Sequence, residues 1–234
     1  MKGSTSSAER IIVAIDEVSK DKVDRIIDAT SPFIGIYKIG SIAFTAFGPR
    51  LIDEIKNRYK EVFLDLKYFD IPNTVSKAVE QAAAYGVRML TLHTLGGKEM
   101  LQAAAAANRG RATLLGVTVL TSFDTAGLRR VGIEHETDAM VERLALLARD
   151  AGIDGLVASG HELVHLRMIT GDSTVIVVPG IRLEQPSPAD DQKRVVSPRG
   201  AFDAGADYIV IGRPITDSRD PAKVLRDISD SLKQ

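Results

Sequence analysis

Eight short apolar runs, each followed by a stretch with helical spacing, constrain the fold of this chain more than any other feature. The runs cover residues 11–15, 34–39, 62–66, 88–92, 113–120, 154–158, 174–178 and 208–211. Most are continuous in Val, Ile and Leu rather than alternating, the pattern of strands buried on both faces of a parallel sheet. Between them the apolar spacing returns to three and four, as in Leu51, Ile52 and Ile55, in Val141, Leu144, Ala145 and Ala148, and in Val224, Leu225, Ile228 and Leu232. Pro72, Pro198 and Pro221 sit where a first helical turn tolerates a missing N–H. Eight such units in 234 residues average about 29 residues each, the economy of an α/β chain folded as a (β/α)8 TIM barrel. A doubly wound open sheet is the alternative, but no Gly-x-Gly-x-x-Gly follows the first run. The reading is one barrel domain over residues 11–234, preceded by a flexible lead-in over 1–10.

Composition excludes several classes of function. With 30 basic and 31 acidic side chains there is no broad electrostatic case for nucleic acid, and 44% hydrophobic residues exclude disorder. Cysteine is absent, which removes disulfides, iron–sulfur clusters, thiolate zinc sites and a cysteine nucleophile, and suits a reducing cytoplasm. No run approaches the roughly 18 apolar residues of a membrane span, and residues 11–15 are too few for a signal-peptide core.

In a barrel of this kind the chemistry gathers at the C-terminal ends of the strands. The first run ends in Asp16, the second in Lys38, the third in Asp65 and Lys67, and the fourth in His93. Thr121 and Ser122 follow the fifth, Ser159 the sixth, Pro179, Gly180 and Arg182 the seventh, and Gly212 and Arg213 the eighth. Two connections on the same rim, 121–136 and 180–197, are long enough to serve as lids or binding loops.

The densest chemistry is the segment Asp65-Leu66-Lys67-Tyr68-Phe69-Asp70. Alternation along a strand points Asp65 and Lys67 into the barrel mouth and Leu66 toward the helices. An ion pair at a strand end is ordinary by itself. Lys38 one strand over and Asp70 just beyond raise it to two cations and two anions, a neutral set tolerable in a desolvated pocket. A lysine held between carboxylates stays protonated and can deliver a proton to a carbanion. An aspartate facing a substrate carboxylate destabilises it by like-charge contact, so the chemistry suggested is decarboxylation. Phosphate is the other group the rim could hold, with Gly180 and Gly212 admitting close backbone approach and Arg213 supplying a guanidinium.

Three weaker patterns point elsewhere. His161-Glu162-Leu163-Val164-His165 matches the H-E-x-x-H zinc pattern, but no third histidine follows it, and helix amphipathicity explains the segment. Gly96-Gly97-Lys98 lacks phosphate-loop spacing and reads as the start of a helix. Arg129-Arg130 is too small a basic patch for nucleic acid.

Taken together, Asp65-Leu66-Lys67-Tyr68-Phe69-Asp70-Ile71-Pro72-Asn73-Thr74 closely resembles the D-x-K-x-x-D-I-P-N-T signature of the orotidine 5'-phosphate decarboxylase family. The segments Val13-Ala14-Ile15-Asp16, Tyr37-Lys38-Ile39-Gly40, Thr118-Val119-Leu120-Thr121-Ser122, Val178-Pro179-Gly180-Ile181-Arg182, Asp191-Gln192-Lys193-Arg194 and Ile211-Gly212-Arg213-Pro214 stand in that family's order, in its bacterial form. The resemblance implies decarboxylation of orotidine 5'-monophosphate to uridine 5'-monophosphate without metal or cofactor, closing de novo pyrimidine synthesis. Carried over by position, Lys67 protonates C6 of the pyrimidine, Asp65 lies against the departing carboxylate, and Lys38 and Asp70 complete the charge chain. The resemblance places Asp70, Ile71 and Thr74 in the neighbouring subunit's site, which implies a homodimer with shared sites. It assigns Asp16 and Lys38 to the ribose hydroxyls and Thr121 and Ser122 to the pyrimidine region. Gln192, Gly212 and Arg213 would hold the phosphate, with Arg182 shaping a 180–197 loop that closes over the ligand. His93 matches the family's position after strand four.

The chain departs from the bacterial pattern at Asp190-Asp191-Gln192, where Gly-Asp-Gln is usual, and in Leu183-Glu184-Gln185-Pro186-Ser187-Pro188. Magnesium-dependent sugar-phosphate lyases of the same superfamily, hexulose-phosphate synthases and keto-gulonate-phosphate decarboxylases, share the D-x-K-x-x-D core but lack Ile71-Pro72-Asn73-Thr74. A catalytically silent nucleotide-binding homologue is the alternative from another class. A Schiff-base aldolase is disfavoured because flanking carboxylates make Lys67 a poor amine nucleophile.

Overall fold

In the computed structural model, which describes residues 7–183 and 196–233, the apolar runs form eight parallel strands hydrogen-bonded in sequence order. They are β1 (Ile11–Ile15), β2 (Ile36–Gly40), β3 (Glu61–Tyr68), β4 (Met89–His93), β5 (Thr113–Val117), β6 (Gly155–Val157), β7 (Val175–Val178) and β8 (Tyr208–Ile211). β8 pairs back onto β1 through Ile11 with Ile209 and Val13 with Ile211, so the sheet closes into a barrel and leaves no open edge. The helices α1 (Lys20–Thr30), α2 (Ser41–Phe47), α3 (Arg50–Asn57), α4 (Pro72–Ala84), α5 (Gly97–Asn108), α6 (Thr125–Arg130), α7 (Thr137–Asp150), α8 (Leu163–Thr170), α9 (Pro198–Asp203), α10 (Arg213–Thr216) and α11 (Pro221–Lys233) fill the connections. This is the (β/α)8 barrel expected from the sequence. Pro72, Pro198 and Pro221 each open a helix, and Gly97-Lys98 open α5.

Strand alternation divides the core into two shells. Ile11, Val13, Ile39, Leu64, Leu90 and Leu92 point outward against the helices, whereas Ile12, Ile36, Phe63, Met89, Leu115, Val177 and Val210 fill the barrel itself. Each fully buried aliphatic or aromatic side chain stabilises the fold by roughly 1.5–3 kcal/mol. Tyr37, like Ile39, is an outward residue of β2, adjacent to Lys38. Its hydroxyl lies 2.7 Å from Thr30 Oγ1 and donates to the Ile27 carbonyl at 3.2 Å. Burial pushes the phenol up to about 12, so it stays neutral and ties β2 to α1.

Of the lead-in expected over 1–10, Ser7–Arg10 form a 3-10 turn. The Arg10 guanidinium donates to the carbonyls of Ala206 and Asp207 and lies 4.0 Å from the centre of the Phe202 ring. Among the described residues no helix is long and apolar enough to cross a membrane.

Candidate active site

At the C-terminal mouth the inward side chains change from apolar to charged. One inward step above Ile12, Ile36, Phe63 and Met89 stand Ala14, Lys38, Asp65 and Thr91. Asp16 Oδ1 accepts from Lys38 Nζ at 3.2 Å, Lys38 Nζ lies 3.6 Å from Asp65 Oδ2, and Lys67 Nζ donates to Asp65 Oδ1 at 2.9 Å. The four charges thus alternate along three strand ends. Lys38 and Asp65 are 12% and 13% exposed and Lys67 is 37% exposed, so the network runs from a screened interior to an accessible ammonium. Burial pushes the Asp65 carboxyl up, but Lys38, Lys67 and the hydrogen bonds from Lys67 and Thr91 outweigh it and hold the group below the usual carboxylate range. Asp65 is an anion at neutral pH.

Two local features build this arrangement. At Gly40, the last residue of β2, an added Cβ would lie 2.7 Å from Asp16 Oδ1 and 2.9 Å from Lys38 Nζ, so the missing side chain makes room for that pair. In β3, Leu64 pairs with Leu90 and Tyr68 with Leu92, so four residues advance against two and the strand bulges. Lys67, within the bulge, has φ 50°, a left-handed conformation costing a non-glycine residue roughly 1–2 kcal/mol. Simple alternation therefore gives the right neighbours for an incomplete reason, because the bulge takes part in aiming Lys67. Leu66 does pack against the outer shell, as alternation requires.

A cleft of about 330 Å³ opens above the network, lined by Asp16, Lys38, Asp65 and Lys67 on one side and by Thr121, Pro179, Gly180, Arg182, Gly212 and Arg213 on the other. Gly180 has φ 77°, so a side chain there would be strained. Gly212 is less constrained, since an added Cβ would make ordinary contact with Ala14. Ser122 is exposed and does not line the cleft, because β5 stops at Val117 rather than Leu120 and the chain has turned away. Gln192, Asp190 and the interior of the 180–197 loop lie outside the described residues. The base of that loop is pinned, with Ile181 bridging Val196 and the Arg182 N–H donating to the Val196 carbonyl at 3.1 Å.

Asp70, Ile71 and Thr74 stand apart from this cleft. The Asp70 carboxylate accepts the Ile71 N–H at 2.6 Å, and Asp70, Ile71 and Thr74 are all exposed. Within one chain it is Asp16, not Asp70, that completes the alternation. Phe69, also exposed, stacks on His93 with ring centres 5.6 Å apart. Burial, with the Lys67 ammonium nearby, holds the His93 imidazole below its ordinary value, so it is neutral at pH 7.

The H-E-x-x-H segment has local partners instead of a shared metal face. Glu162 is buried and accepts the Ser159 N–H at 2.9 Å, while His165 Nε2 sits 2.9 Å from Glu142. A wider depression of about 940 Å³ lies at the opposite mouth, among Lys56, Lys60, Arg88, Arg111, Glu61 and Asp154. That end of a (β/α)8 barrel serves stability rather than chemistry. Sequence reasoning missed two residues of the active mouth, Gly40 and Thr91. Thr91, a lone hydroxyl between Leu90 and Leu92 in the inward register of β4, was the signal available for the second.

Comparison with known proteins agrees with this geometry. The family model described as "Orotidine 5'-phosphate decarboxylase / HUMPS family" matches residues 9–228. The chain is 47% identical over 229 residues to an orotidine 5'-phosphate decarboxylase of Pelobacter propionicus, covering 96% of this chain and 95% of the relative. It is 45% identical over 236 residues to a protein of the same name from Moorella thermoacetica, covering 96% and 92%. Among solved structures, orotidine 5'-phosphate decarboxylase from Lactobacillus acidophilus superposes with a TM-score of 0.82 at 30% identity, covering 97% of this chain and all of that one (100%).

Proposed function

The chain belongs to the orotidine 5'-phosphate decarboxylase family, an enzyme family of pyrimidine biosynthesis, and from that membership we propose that it converts orotidine 5'-monophosphate to uridine 5'-monophosphate and carbon dioxide, with Lys67 as the proton donor. The observation that carries this reading is the Lys67 ammonium, 2.9 Å from a buried, ionised Asp65 at the mouth of a cleft whose far wall carries Gly180, Gly212 and Arg213.

The substrate phosphate binds at the far wall, where Arg213 and Arg182 stand beside backbone left uncovered by the glycines; Gln192 joins them on the strength of the family resemblance alone. The ribose hydroxyls lie against Asp16 and Lys38, and the pyrimidine against Thr121, while Ser122, exposed and outside the cleft, takes no part in this pose. This pose brings the carboxylate on C6 toward Asp65. Two carboxylates in one partly desolvated site repel, and the repulsion disappears as carbon dioxide leaves. The C6–carboxyl bond breaks, its electron pair stays on C6, and Lys67 delivers a proton to that carbon. Lys38 keeps Asp65 charged throughout. Phosphate contacts far from the reacting carbon offset the local repulsion, so binding energy appears as a lower barrier.

A neighbouring copy completes the site. Exposed Asp70, Ile71 and Thr74 belong to the mouth of the adjacent subunit in a homodimer with shared sites. A cytoplasmic location is part of the same reading. The donor set around Asp65 supports a metal-free reaction, since a divalent ion would have to displace two ammonium groups from it.

The test is loss of orotidine 5'-monophosphate absorbance with chelator present, for the native protein and for Lys67→Ala. Chelator-resistant turnover by the native protein alone is expected, with product nucleotide still bound by the variant. Magnesium-dependent action on a sugar phosphate without turnover of the nucleotide would overturn the reading, as would nucleotide binding without turnover or a near-native rate for Lys67→Ala.

A further inference from the structure

One hydroxyl joins the two parts of the active mouth that must keep register. Thr91 is fully buried at the centre of β4, between Leu90 and Leu92, and its Oγ1 makes two contacts with β3. It accepts the backbone N–H of Lys67 at 2.8 Å, and it donates to Asp65 Oδ1 at 3.0 Å. That same oxygen receives the Lys67 ammonium at 2.9 Å. Backbone of Lys67, hydroxyl of Thr91, carboxylate of Asp65 and ammonium of Lys67 therefore close a ring.

The ring sits at the β3 bulge. Between Leu64 and Tyr68 the ladder to β4 is interrupted, which leaves the Lys67 N–H without a strand partner just where φ is 50°. Thr91 replaces the missing ladder bond with a side-chain acceptor. Without that acceptor, a partly buried amide would lose its partner and the left-handed conformation would lose the contact opposing its relaxation. Thr91 does not line the cleft and cannot touch a substrate. Valine has nearly its shape, so packing alone does not require the hydroxyl.

We propose that Thr91 is a positioning residue, whose hydroxyl holds the Lys67 backbone in its left-handed bulge and fixes the Asp65 carboxylate against the Lys67 ammonium. The inference rests on the assignment of Lys67 as proton donor. It adds that the donor's placement depends on β4 as well as on β3.

The test compares Thr91→Val with Thr91→Ser in the full-length protein. Thr91→Val should lower kcat for orotidine 5'-monophosphate about 10- to 100-fold, the scale on which a misplacement near 1 Å acts, while KM moves less than about threefold. Thr91→Ser should return kcat to within about threefold of native. The acidic limb of the kcat profile should move to higher pH in Thr91→Val, since Asp65 loses a donor, and stay in place in Thr91→Ser. Hydrogen exchange of the Lys67 amide reads the contact independently of turnover, and protection should fall at least tenfold in Thr91→Val alone. If Thr91→Val does not fold, Thr91→Ala takes its place in every arm. An unchanged kcat, a loss confined to KM, or a serine that fails to restore the rate would overturn the proposal. If Lys67→Ala turns over normally while amide protection still falls in Thr91→Val, the fault lies with the Lys67 assignment. Unchanged protection refutes the role of Thr91 itself.

Discussion

Asp65→Asn tests whether the charge at the centre of the mouth stabilises the fold or burdens it. Asparagine keeps the shape and can still accept from Thr91, so the change removes mainly the charge. In the native protein that charge faces Lys67 at 2.9 Å and Lys38 at 3.6 Å. A pair at about 4 Å contributes about 4 kcal/mol of attraction at an effective dielectric near 20, against several kcal/mol for desolvating each ion. Breaking a buried pair costs about 3–5 kcal/mol, and this must be discounted because Lys67 is 37% exposed and Lys38 keeps Asp16 as a partner. A loss of about 2 kcal/mol at pH 7 is the resulting expectation. The Asp65 pKa is depressed in the fold, so its stabilisation is fully present above the unfolded value of about 3.9 and is lost as pH falls through the lower folded value. Urea unfolding at fixed protein concentration, from pH 7 down to about pH 3, should show native and variant curves converging only below about pH 4. A gap that does not change with pH would assign the loss to packing. A variant more stable than native at pH 7 would mean that desolvation of the charge exceeds its attractions, and the sign of the reasoning would be wrong.

Gly40→Ala should split the Asp16–Lys38 pair without unfolding the barrel, because the two atoms it would crowd, at 2.7 and 2.9 Å, are ends of flexible side chains. Moving that pair apart by about 1 Å at a dielectric near 20 weakens it by at most about 1–1.5 kcal/mol, less for the half-exposed Asp16, so Tm should fall by no more than about 4 °C while KM for the nucleotide rises severalfold; an unchanged KM would show that the pair does not contact substrate. Mixing Lys67→Ala with Asp70→Ala subunits should restore about a quarter of native activity, because half of the randomly formed dimers are mixed and each mixed dimer has one intact site. Demonstrated mixed dimers without activity would refute site sharing.

The repeating architecture was legible because each buried parallel strand must be apolar on both faces, which leaves continuous runs rich in Val, Ile and Leu, whereas the apolar runs inside helices, such as residues 103–107 and 144–148, are built on Ala and Leu. Their ends were less legible, since apolarity reports burial rather than pairing. Val119 and Leu120 are apolar because they line the cleft, not because they extend β5. β3 runs on to Tyr68 because a bulge lets it pair again with Leu92. The bulge carried no sequence signal, as its left-handed residue is a lysine where glycine or asparagine would have announced it. The charged cluster was legible as a composition of one segment, but its wiring was not. Sequence proximity put Asp70 beside Lys38 and Lys67 and left Asp16 to the ribose, and only three-dimensional placement brings Asp16 into the chain of charges and turns Asp70 toward the Ile71 N–H within one chain.

That wiring bears on how the proposed reaction could gain from repulsion. An aspartate free to rotate would swing away from an incoming carboxylate, and the repulsion would dissipate before any bond stretched. Asp65 lacks that freedom, because Oδ1 is held by Lys67 and Thr91 while Oδ2 faces Lys38. The same contacts keep it ionised, so it cannot escape by taking a proton near neutral pH. The substrate carboxylate is left as the movable partner, and leaving as carbon dioxide is the route open to it. In the proposed pose the Lys67 ammonium lies beside the carbon that carboxylate vacates, on a backbone whose left-handed conformation is set before substrate arrives. Under this assignment the barrel invests its rigidity in the group that must not yield, and the phosphate wall opposite supplies the attraction that brings the substrate in.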